Sequence, residues 1–325
     1  ALDPKNAPAA APVPVVTDYD RNIRRVVIIG NGAAGITAAD TVRRNHPECE
    51  IHLISREKHA FYNRMAITRL IYGRSAMSGL YMQSEQWYDE RRITCWLNTH
   101  ATHINRGHKQ VALATGETLD YDRLILASGS SSFVPPIPGY GQPGSFVLRE
   151  AEDAMEIRAY VQKNQSKTAV IAGGGLLGLE TAYALHKMGL SVWVLERGEW
   201  LLRRQLDERG GQALKQSLEA LGLIIEPDAE TAAVHCEERV CQVELKNGRT
   251  LPCDVFIVAV GIRPNIDLAQ AAGLHVKRGI IVDETMRTSA PDIFAAGDVT
   301  EFANQVPGLW AVAVEQAKVA ALNAL

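Results

Sequence analysis

The stretch Arg25-Val26-Val27-Ile28-Ile29-Gly30-Asn31-Gly32-Ala33-Ala34-Gly35 decides the fold. Its first five residues make a short β-branched run of the kind a buried parallel strand carries. The run leads straight into a Gly-x-Gly-x-x-Gly turn; a helical stretch follows over 33–44, and a second strand over 50–55. Strand, glycine turn, helix and strand form one βαβ unit. In that setting the glycines let the backbone turn tightly and approach a pyrophosphate, whose charge meets the unpaired N–H groups of a helix N-terminus. The plain alternative is a glycine-rich strand-to-helix turn with no ligand.

The same grammar returns at a constant offset of 143 residues, Gly30 matching Gly173. A strand over 169–172 precedes Gly173-Gly174-Gly175-Leu176-Leu177-Gly178, and a helix over 179–188 and a strand over 191–196 follow. A further echo pairs residues 116–129 with 248–261, identical at seven of fourteen places. The chain therefore reads as two copies of a nucleotide-binding fold: α/β, with two Rossmann-like, doubly wound parallel sheets in three layers. Each copy carries a hairpin-like insertion before its last strand. In the second copy the segments 234–241 and 242–246 are set off by the turn pair Asn247-Gly248. From about Ile266 onward no third fingerprint appears, and the simplest packing returns this segment to the first domain. The expected organisation is a linker over 1–21, a discontinuous first domain over 22–148 and 264–325, and a second domain over 149–263.

Composition narrows the function. Of 325 residues, 46% are hydrophobic and 22% charged, enough for a sizeable core. The 34 Lys+Arg against 37 Asp+Glu give a net charge of -3, which argues against a nucleic-acid binder or a polybasic membrane binder. No apolar run reaches the roughly 18 residues of a membrane helix. Five cysteines are too few, and odd in number, for a secreted disulfide framework, so a cytoplasmic, reducing compartment is expected. The Ala/Pro-rich opening reads as an extended linker, not a signal peptide, and a start at Ala1 fits a piece of a longer polypeptide.

An acid is expected about 20 residues beyond each fingerprint, where it meets a ribose. Glu196, 18 residues past Gly178, fills that place in the second copy and favours NADH over NADPH, although Arg197, Arg203 and Arg204 stand near enough to receive a phosphate. In the first copy the acid is Glu57, preceded by Arg56; its alternative is a solvated strand end. Two dinucleotide sites on one chain imply a relay, with FAD and a nicotinamide nucleotide as the pair. Asp298, after the apolar stretch ending Ala295-Ala296-Gly297, is placed to meet a flavin's ribityl chain or to cap a helix.

The chain resembles the FAD-dependent pyridine nucleotide-disulfide oxidoreductases over about residues 24–325. The resemblance rests, in order, on Gly30–Gly35, Leu126-Ala127-Ser128-Gly129, Gly173–Glu180, Val260-Gly261-Ile262-Arg263-Pro264-Asn265 and Ala296-Gly297-Asp298. Phe61-Tyr62-Asn63-Arg64-Met65 and Arg204-Gln205-Leu206-Asp207 are most similar to the rubredoxin reductase and nitrite reductase large-subunit branch. It implies the FAD/NAD(P)-binding fold of the glutathione reductase type. By motif match it implies that Gly30, Gly32, Ala33, Ala34, Gly35, Glu57, Arg64, Ala101, Ala127, Ser128, Gly129, Gly297, Asp298 and Trp310 line FAD. It likewise assigns Gly173, Gly175, Leu177, Gly178, Glu196, Arg197 and Gly261 to NADH, in preference to NADPH. The catalytic pair it implies is Glu180 with Arg69, which stands where ferredoxin-reductase relatives have a lysine beside flavin N5. For Glu180 the alternative is a carboxylate in the first helical turn that complements the dipole, and for Trp310 it is core packing. Relatives continue into a further interface domain, which is expected to be absent from a sequence that stops at Leu325.

No cysteine lies around 61–71, where disulfide reductases and cysteine-type peroxidases carry theirs. Cys236 and Cys241 flank a charged turn and are expected to be structural; Cys49 and Cys95 sit singly. His100 and His103 are three apart in a strand, on opposite faces, so no metal site is expected. The resulting expectation is an FAD-dependent NADH reductase that delivers electrons to a one-electron carrier such as rubredoxin or ferredoxin, or to a tethered metal-containing domain. The rivals are an electron-entry module of a nitrite reductase-like protein and a flavin-bound interaction protein that responds to NADH. The oligomeric state is open.

Overall fold

The computed structural model describes residues 19–325 apart from position 237. The linker expected over 1–21 lies, up to residue 18, outside the described residues. The chain divides into two compact units: one built from residues up to His59, Glu85–Gly129 and Ile266–Leu325, the other from Ala60–Ser84 and Ser130–Asn265.

The first unit holds a five-stranded, all-parallel sheet in the order Ile293–Ala295, Arg123–Leu126, Arg25–Ile29, Glu50–Ile54, Ile93–Trp96. Val26, Val27 and Ile28 have no exposed surface. A strand covered on both faces needs an unbroken apolar run, not alternation, and that is what the sequence supplies. Helices Ala33–Asn45 and Trp310–Ala324 pack on one another. Their buried residues include Ala34, Ala38 and Ala39 on one and Ala313, Ala317, Ala320 and Ala321 on the other. Small side chains let the two backbones come close. A three-stranded antiparallel sheet, Ala101–Asn105, Gln110–Leu113 and Thr118–Asp120, is inserted before strand Arg123–Leu126.

The second unit repeats the design. Its parallel sheet runs Ile224–Glu226, Ser191–Leu195, Thr168–Ala172, Val255–Val258, Ser145–Val147, with an antiparallel insert of Thr231–His235, Gln242–Leu245 and Thr250–Pro252. The echo between 116–129 and 248–261 has a physical basis. Asp122 accepts the N–H groups of Arg24 and Arg25 at 2.7 and 2.8 Å, and Asp254 those of Lys167 and Thr168 at 2.7 and 2.9 Å. Each aspartate ties down the amino end of its unit's central strand. Burial pushes the Asp254 carboxyl up, but the two N–H groups and the Thr168 hydroxyl outweigh it and hold the pKa below the usual aspartate value.

Several local expectations shift. The second fingerprint helix begins at Leu176 and not at 179, because the chain is already helical immediately after Gly175. Asn247-Gly248 joins Gln242–Leu245 to Thr250–Pro252, so the insert is a meander; the strand expected over 234–241 stops at His235. Cys236 and Cys241 are joined by a disulfide across the loop between them. Residues 60–84 and 130–148, placed in the first domain by sequence, pack with the second unit. No helix of the described residues is long and apolar enough to cross a membrane.

Two stability outcomes follow from these contacts. In Gly35→Ala the new methyl would overlap the Gly30 carbonyl. Chemical denaturation should show a loss of about 1–3 kcal/mol or more, whereas Gly32→Ala, with open space around it, should change stability by under ~0.5 kcal/mol. Asp254→Asn should cost ~1–2 kcal/mol at neutral pH. Because the native pKa is depressed, that deficit should shrink as pH falls below the ordinary aspartate value of about 3.9; a deficit constant down to pH 2 would contradict it.

Candidate functional site

Each unit ends its central strand in a glycine cradle, and the two cradles are built alike. Gly30 and Gly173 both adopt φ +120°, open only to glycine at low cost. A Cβ on either would run into the carbonyl of Ala127 or Ala259, respectively, from the neighbouring strand. The same hydrogen bonds fix both turns. Gly30 N–H donates to Ile54 O and Gly173 N–H to Leu195 O, each at 2.8 Å; Ala127 N–H donates to Ile29 O and Ala259 N–H to Ala172 O, also at 2.8 Å. Gly35 and Gly178 press the helix onto the turn, since a Cβ on either would strike the carbonyl of Gly30 or Gly173.

The middle glycines differ from the others. Gly32 and Gly175 are ordinary extended residues, φ -86° and -79°, that stand as helix N-caps without any side-chain cap. A Cβ at either would meet nothing within 4 Å. Neither helix carries an acid in its first turn. Open space in front of uncapped N–H groups, at the positive end of a helix dipole, is a seat for an anion that must come close to backbone. The residues present thus fit a pyrophosphate at each cradle.

Around the first cradle the structure gathers most of the expected residues. Ala33 and Ala34 open the helix. Gly297, φ +84°, lies so that a Cβ would be 3.0 Å from Ala34 Cβ and 3.5 Å from Ala313 Cβ, which puts Asp298 beside the cradle. This loop is held by buried Gln316, whose Oε1 accepts the Gly297 N–H at 2.9 Å and the Thr300 hydroxyl at 3.1 Å. No helix begins at Asp298, so it is not an N-cap. Glu57 is half-buried, and its carbonyl accepts the Asn98 N–H at 3.1 Å; Arg56 is exposed. Thr99 N–H donates to Ser55 O at 3.0 Å, which brings Ala101, two residues on, to the Glu57 end of the sheet. Ala127 is buried and Ser128 and Gly129 half-buried at the mouth of strand Arg123–Leu126. Trp310, half-buried, opens the last helix. Arg64 belongs to the other unit, where its guanidinium donates to Arg149 O at 2.8 Å and covers the Tyr62 ring.

At the second cradle Glu196 is fixed directly to the glycine turn: Oε2 accepts the Gly174 N–H at 3.1 Å and Oε1 the Gly198 N–H at 2.7 Å. Arg197 is exposed, and Leu177 is half-buried within the first helical turn. Gly261, φ +141°, accepts the Phe133 N–H at 2.9 Å. Glu180 and Arg69 come from helices Leu176–Lys187 and Thr68–Ile71, which pack together. Both residues are exposed and no ion pair closes between them, yet the Glu180 carboxyl is desolvated enough to be raised above the ordinary glutamate range, with Arg69 pulling it back. Glu180 is the fifth helical residue, so it lies beyond the first turn and the dipole alternative loses its geometry.

Sequence reasoning missed Gln316 and Arg149. Gln316 is a polar residue on the buried face of an alanine-rich helix, which is the sign that could have singled it out. Arg149 donates to Ser130 O at 2.9 Å and Ser130 Oγ at 2.7 Å; nothing local in the sequence marks that pairing. His100 and His103 are exposed, and among the described residues no group of three metal-binding side chains comes together.

Residues 24–317 match the family model described as pyridine nucleotide-disulphide oxidoreductase. The chain is 36% identical over 296 residues to the assimilatory nitrate reductase electron transfer subunit of Bacillus subtilis (strain 168), covering 91% of this chain and 38% of that protein. It is 35% identical to the biphenyl dioxygenase system ferredoxin–NAD(+) reductase component of Paraburkholderia xenovorans (strain LB400), covering 85% and 67%. Among solved structures, NADH:rubredoxin oxidoreductase from Clostridium acetobutylicum superposes with a TM-score of 0.77 at 32% identity, covering 92% of this chain and 74% of that one. The chain thus spans less than two fifths of the Bacillus subtilis relative. With the match running from strand Arg25–Ile29 into the last helix and both cradles formed, this chain belongs to the pyridine nucleotide-disulphide oxidoreductase family.

Proposed function

We propose that this chain takes electrons from NADH, holds them on FAD and passes them to a one-electron iron protein of the rubredoxin or ferredoxin type. The observation that carries this reading is the pair of matching cradles, each with an open anion seat before an uncapped helix. The ferredoxin–NAD(+) reductase component and the NADH:rubredoxin oxidoreductase support the choice of donor and acceptor. A second reading, favoured by the much longer nitrate reductase relative, makes the chain the electron-entry module of a larger nitrite reductase-like protein.

In this reading Gly30, Gly32, Ala33, Ala34 and Gly35 receive the FAD pyrophosphate, and Glu57 accepts hydrogen bonds from its ribose. Ala101, Ala127, Ser128 and Gly129 line the same cofactor, Asp298 meets its ribityl chain, and Trp310 lies near its ring. When bound, FAD supplies the redox chemistry, taking a hydride from the nicotinamide and releasing electrons singly. Gly173, Gly175, Leu177 and Gly178 seat the NADH pyrophosphate. Glu196, its carboxylate already held by two N–H groups, offers its remaining lone pairs to the ribose hydroxyls. Arg197 and Gly261 border that site. Glu180 and Arg69 orient the nicotinamide, and the Arg69 charge favours negative charge developing nearby.

Anaerobic mixing with NADH should bleach the oxidised flavin band, and added rubredoxin or ferredoxin should restore it. A preparation that takes up no FAD would sink the proposal. Gly32→Ala should melt as the FAD-stripped parent does yet fail to retain FAD, while Gly175→Ala should keep FAD and lose affinity for NADH. Glu180→Gln should slow flavin reduction roughly tenfold with unchanged melting. The parent rate should rise with pH through a pKa above the ordinary glutamate value, and the variant should lack that limb; an identical profile in both would remove Glu180 from the machinery.

A further inference from the structure

The helix that carries Arg69 is a single turn, Thr68–Ile71, too short to stand without outside support. Its last carbonyls have no partner within the helix. Beyond Tyr72 the chain turns at Gly73, φ +75°, and the Arg74 and Ser75 N–H groups donate to Arg69 O at 3.0 and 3.4 Å. The next two carbonyls are taken by a side chain from another helix. Arg158 Nη1, on Ala151–Asn164, donates to Leu70 O at 3.2 Å and to Ile71 O at 3.5 Å. Arg158 is half-buried, and its charge lies at the negative end of the short helix. Thr68–Ile71 also packs on Leu176–Lys187. There the Tyr72 and Tyr183 rings meet edge-on, 6.4 Å between centroids, and Lys187 covers Tyr183 at 5.2 Å. Arg69 stands three residues before Tyr72, and Glu180 three before Tyr183. Residues at that spacing share a helix face, so the ring contact lines up Arg69 and Glu180 along the same seam.

We propose that Arg158 is a positioning residue for the nicotinamide site: by holding the carbonyl end of Thr68–Ile71, with Tyr72 seated against Tyr183, it fixes how closely Arg69 stands to Glu180. This rests on the reading of Glu180 and Arg69 as the pair that orients the nicotinamide. Arg69 is the charged group that acts on Glu180. Strands Thr168–Ala172 and Ser191–Leu195, which pack on the same helix, carry no ionisable side chain. The other titratable groups of that helix are Tyr183, His186 and Lys187, toward its far end. No ion pair closes between Arg69 and Glu180, so their attraction is set by the spacing of the two helices and falls as that spacing grows. Burial pushes the Glu180 carboxyl up, and Arg69 draws it back. Arg158 does not act on Glu180 directly; its influence passes through the short helix. Freed at its carbonyl end, that helix would carry Arg69 away and leave the burial of Glu180 unopposed.

Carbon-13 NMR of the FAD-loaded full chain tests this without turnover, with the Glu180 carboxyl assigned by its loss in Glu180→Gln. Arg158→Met keeps the apolar stem but loses the donors and the charge, and should move the Glu180 titration midpoint to higher pH. Arg158→Gln, a milder change should the methionine variant not fold, should shift it in the same direction. Arg158→Lys can still donate to a carbonyl and should restore most of the parent midpoint. Tyr183→Ala should raise the midpoint through the other contact. Arg69→Met should raise it too, and adding Arg158→Met to that variant should move it no further, because the effect runs through Arg69. A midpoint that stays put in both Arg158→Met and Arg158→Gln, or that moves as far without Arg69, overturns the inference. Flavin reduction by NADH below the midpoint should slow about threefold in Arg158→Met. A carboxyl that shifts while the pH limb of flavin reduction does not leaves the positioning of Arg69 standing and removes Glu180 from the reaction instead.

Discussion

Everything in the two units depends on one close approach of backbone to backbone. The carbonyls of Ala127 and Ala259 occupy the space where the first glycine of each fingerprint would carry a side chain, and the carbonyls of Gly30 and Gly173 do the same to the third. These contacts bring each helix start against the carboxyl edge of its sheet, while the N-cap glycines, Gly32 and Gly175, face open space and offer no capping side chain. Two other helices are capped: Asp207 accepts the Gly210 N–H at 2.8 Å, and Glu150 with Asp153 forms a capping box on Ala151–Asn164. A cap is worth about 1 kcal/mol. Two fingerprint helices that forgo one leave their first N–H groups for a ligand to satisfy. The helix Trp310–Ala324 also begins without a side-chain cap, and it begins at the residue expected near the flavin.

The second consequence concerns how the chain is threaded. Both parallel sheets have the same order, but their last strands come from different places. In the second unit it is Ser145–Val147, ahead of the central strand; in the first it is Ile293–Ala295, from far beyond it. Without Ile293–Ala295 the strand Arg123–Leu126 would present an open edge, an aggregation hazard in a flat parallel sheet. The first sheet is therefore completed only after the whole second copy has been made. Long-range parallel pairing of this kind is slow to form, and the alanine-lined contact of the last helix with Ala33–Asn45 closes the same unit at the same late stage.

The legible part of this fold lies in short-range patterns. Apolar strand, glycine turn and helix are neighbours in sequence, so their reading survived nearly residue for residue. What was misplaced depends on distant partners. Residues 60–84 and 130–148 have no periodicity that says which sheet they join; packing decided it. Asp298 follows a strand as an N-cap would, yet Gln316, eighteen residues away, holds the turn and no helix starts. Leu176 could be helical as readily as extended, and the uncapped Gly175 let the helix begin early. Arg203 was legible as a nearby cation, but the left-handed turn at Leu202 that brings it near Gly198 has no local pattern to announce it.

Thiol chemistry gives a separate constraint on the proposed electron route. A cysteine that relays electrons reacts as the thiolate, favoured by exposure and positive surroundings. Burial pushes Cys49 up to about 11, and Cys95 and Cys253 up to about 12, so these three are protonated throughout the neutral range. The disulfide Cys236–Cys241 stands at the wrong pole. Cys241 O accepts the Cys253 N–H at 3.0 Å, and Cys253 lies just ahead of strand Val255–Val258, whose far end reaches the cradle at Ala259. The four residues of that strand separate the disulfide from the cradle by roughly 13 Å. A family named for disulfide chemistry is thus represented here by a chain whose described cysteines are either desolvated or remote from the nucleotide edge. The proposed transfer from flavin to an iron protein asks nothing of them.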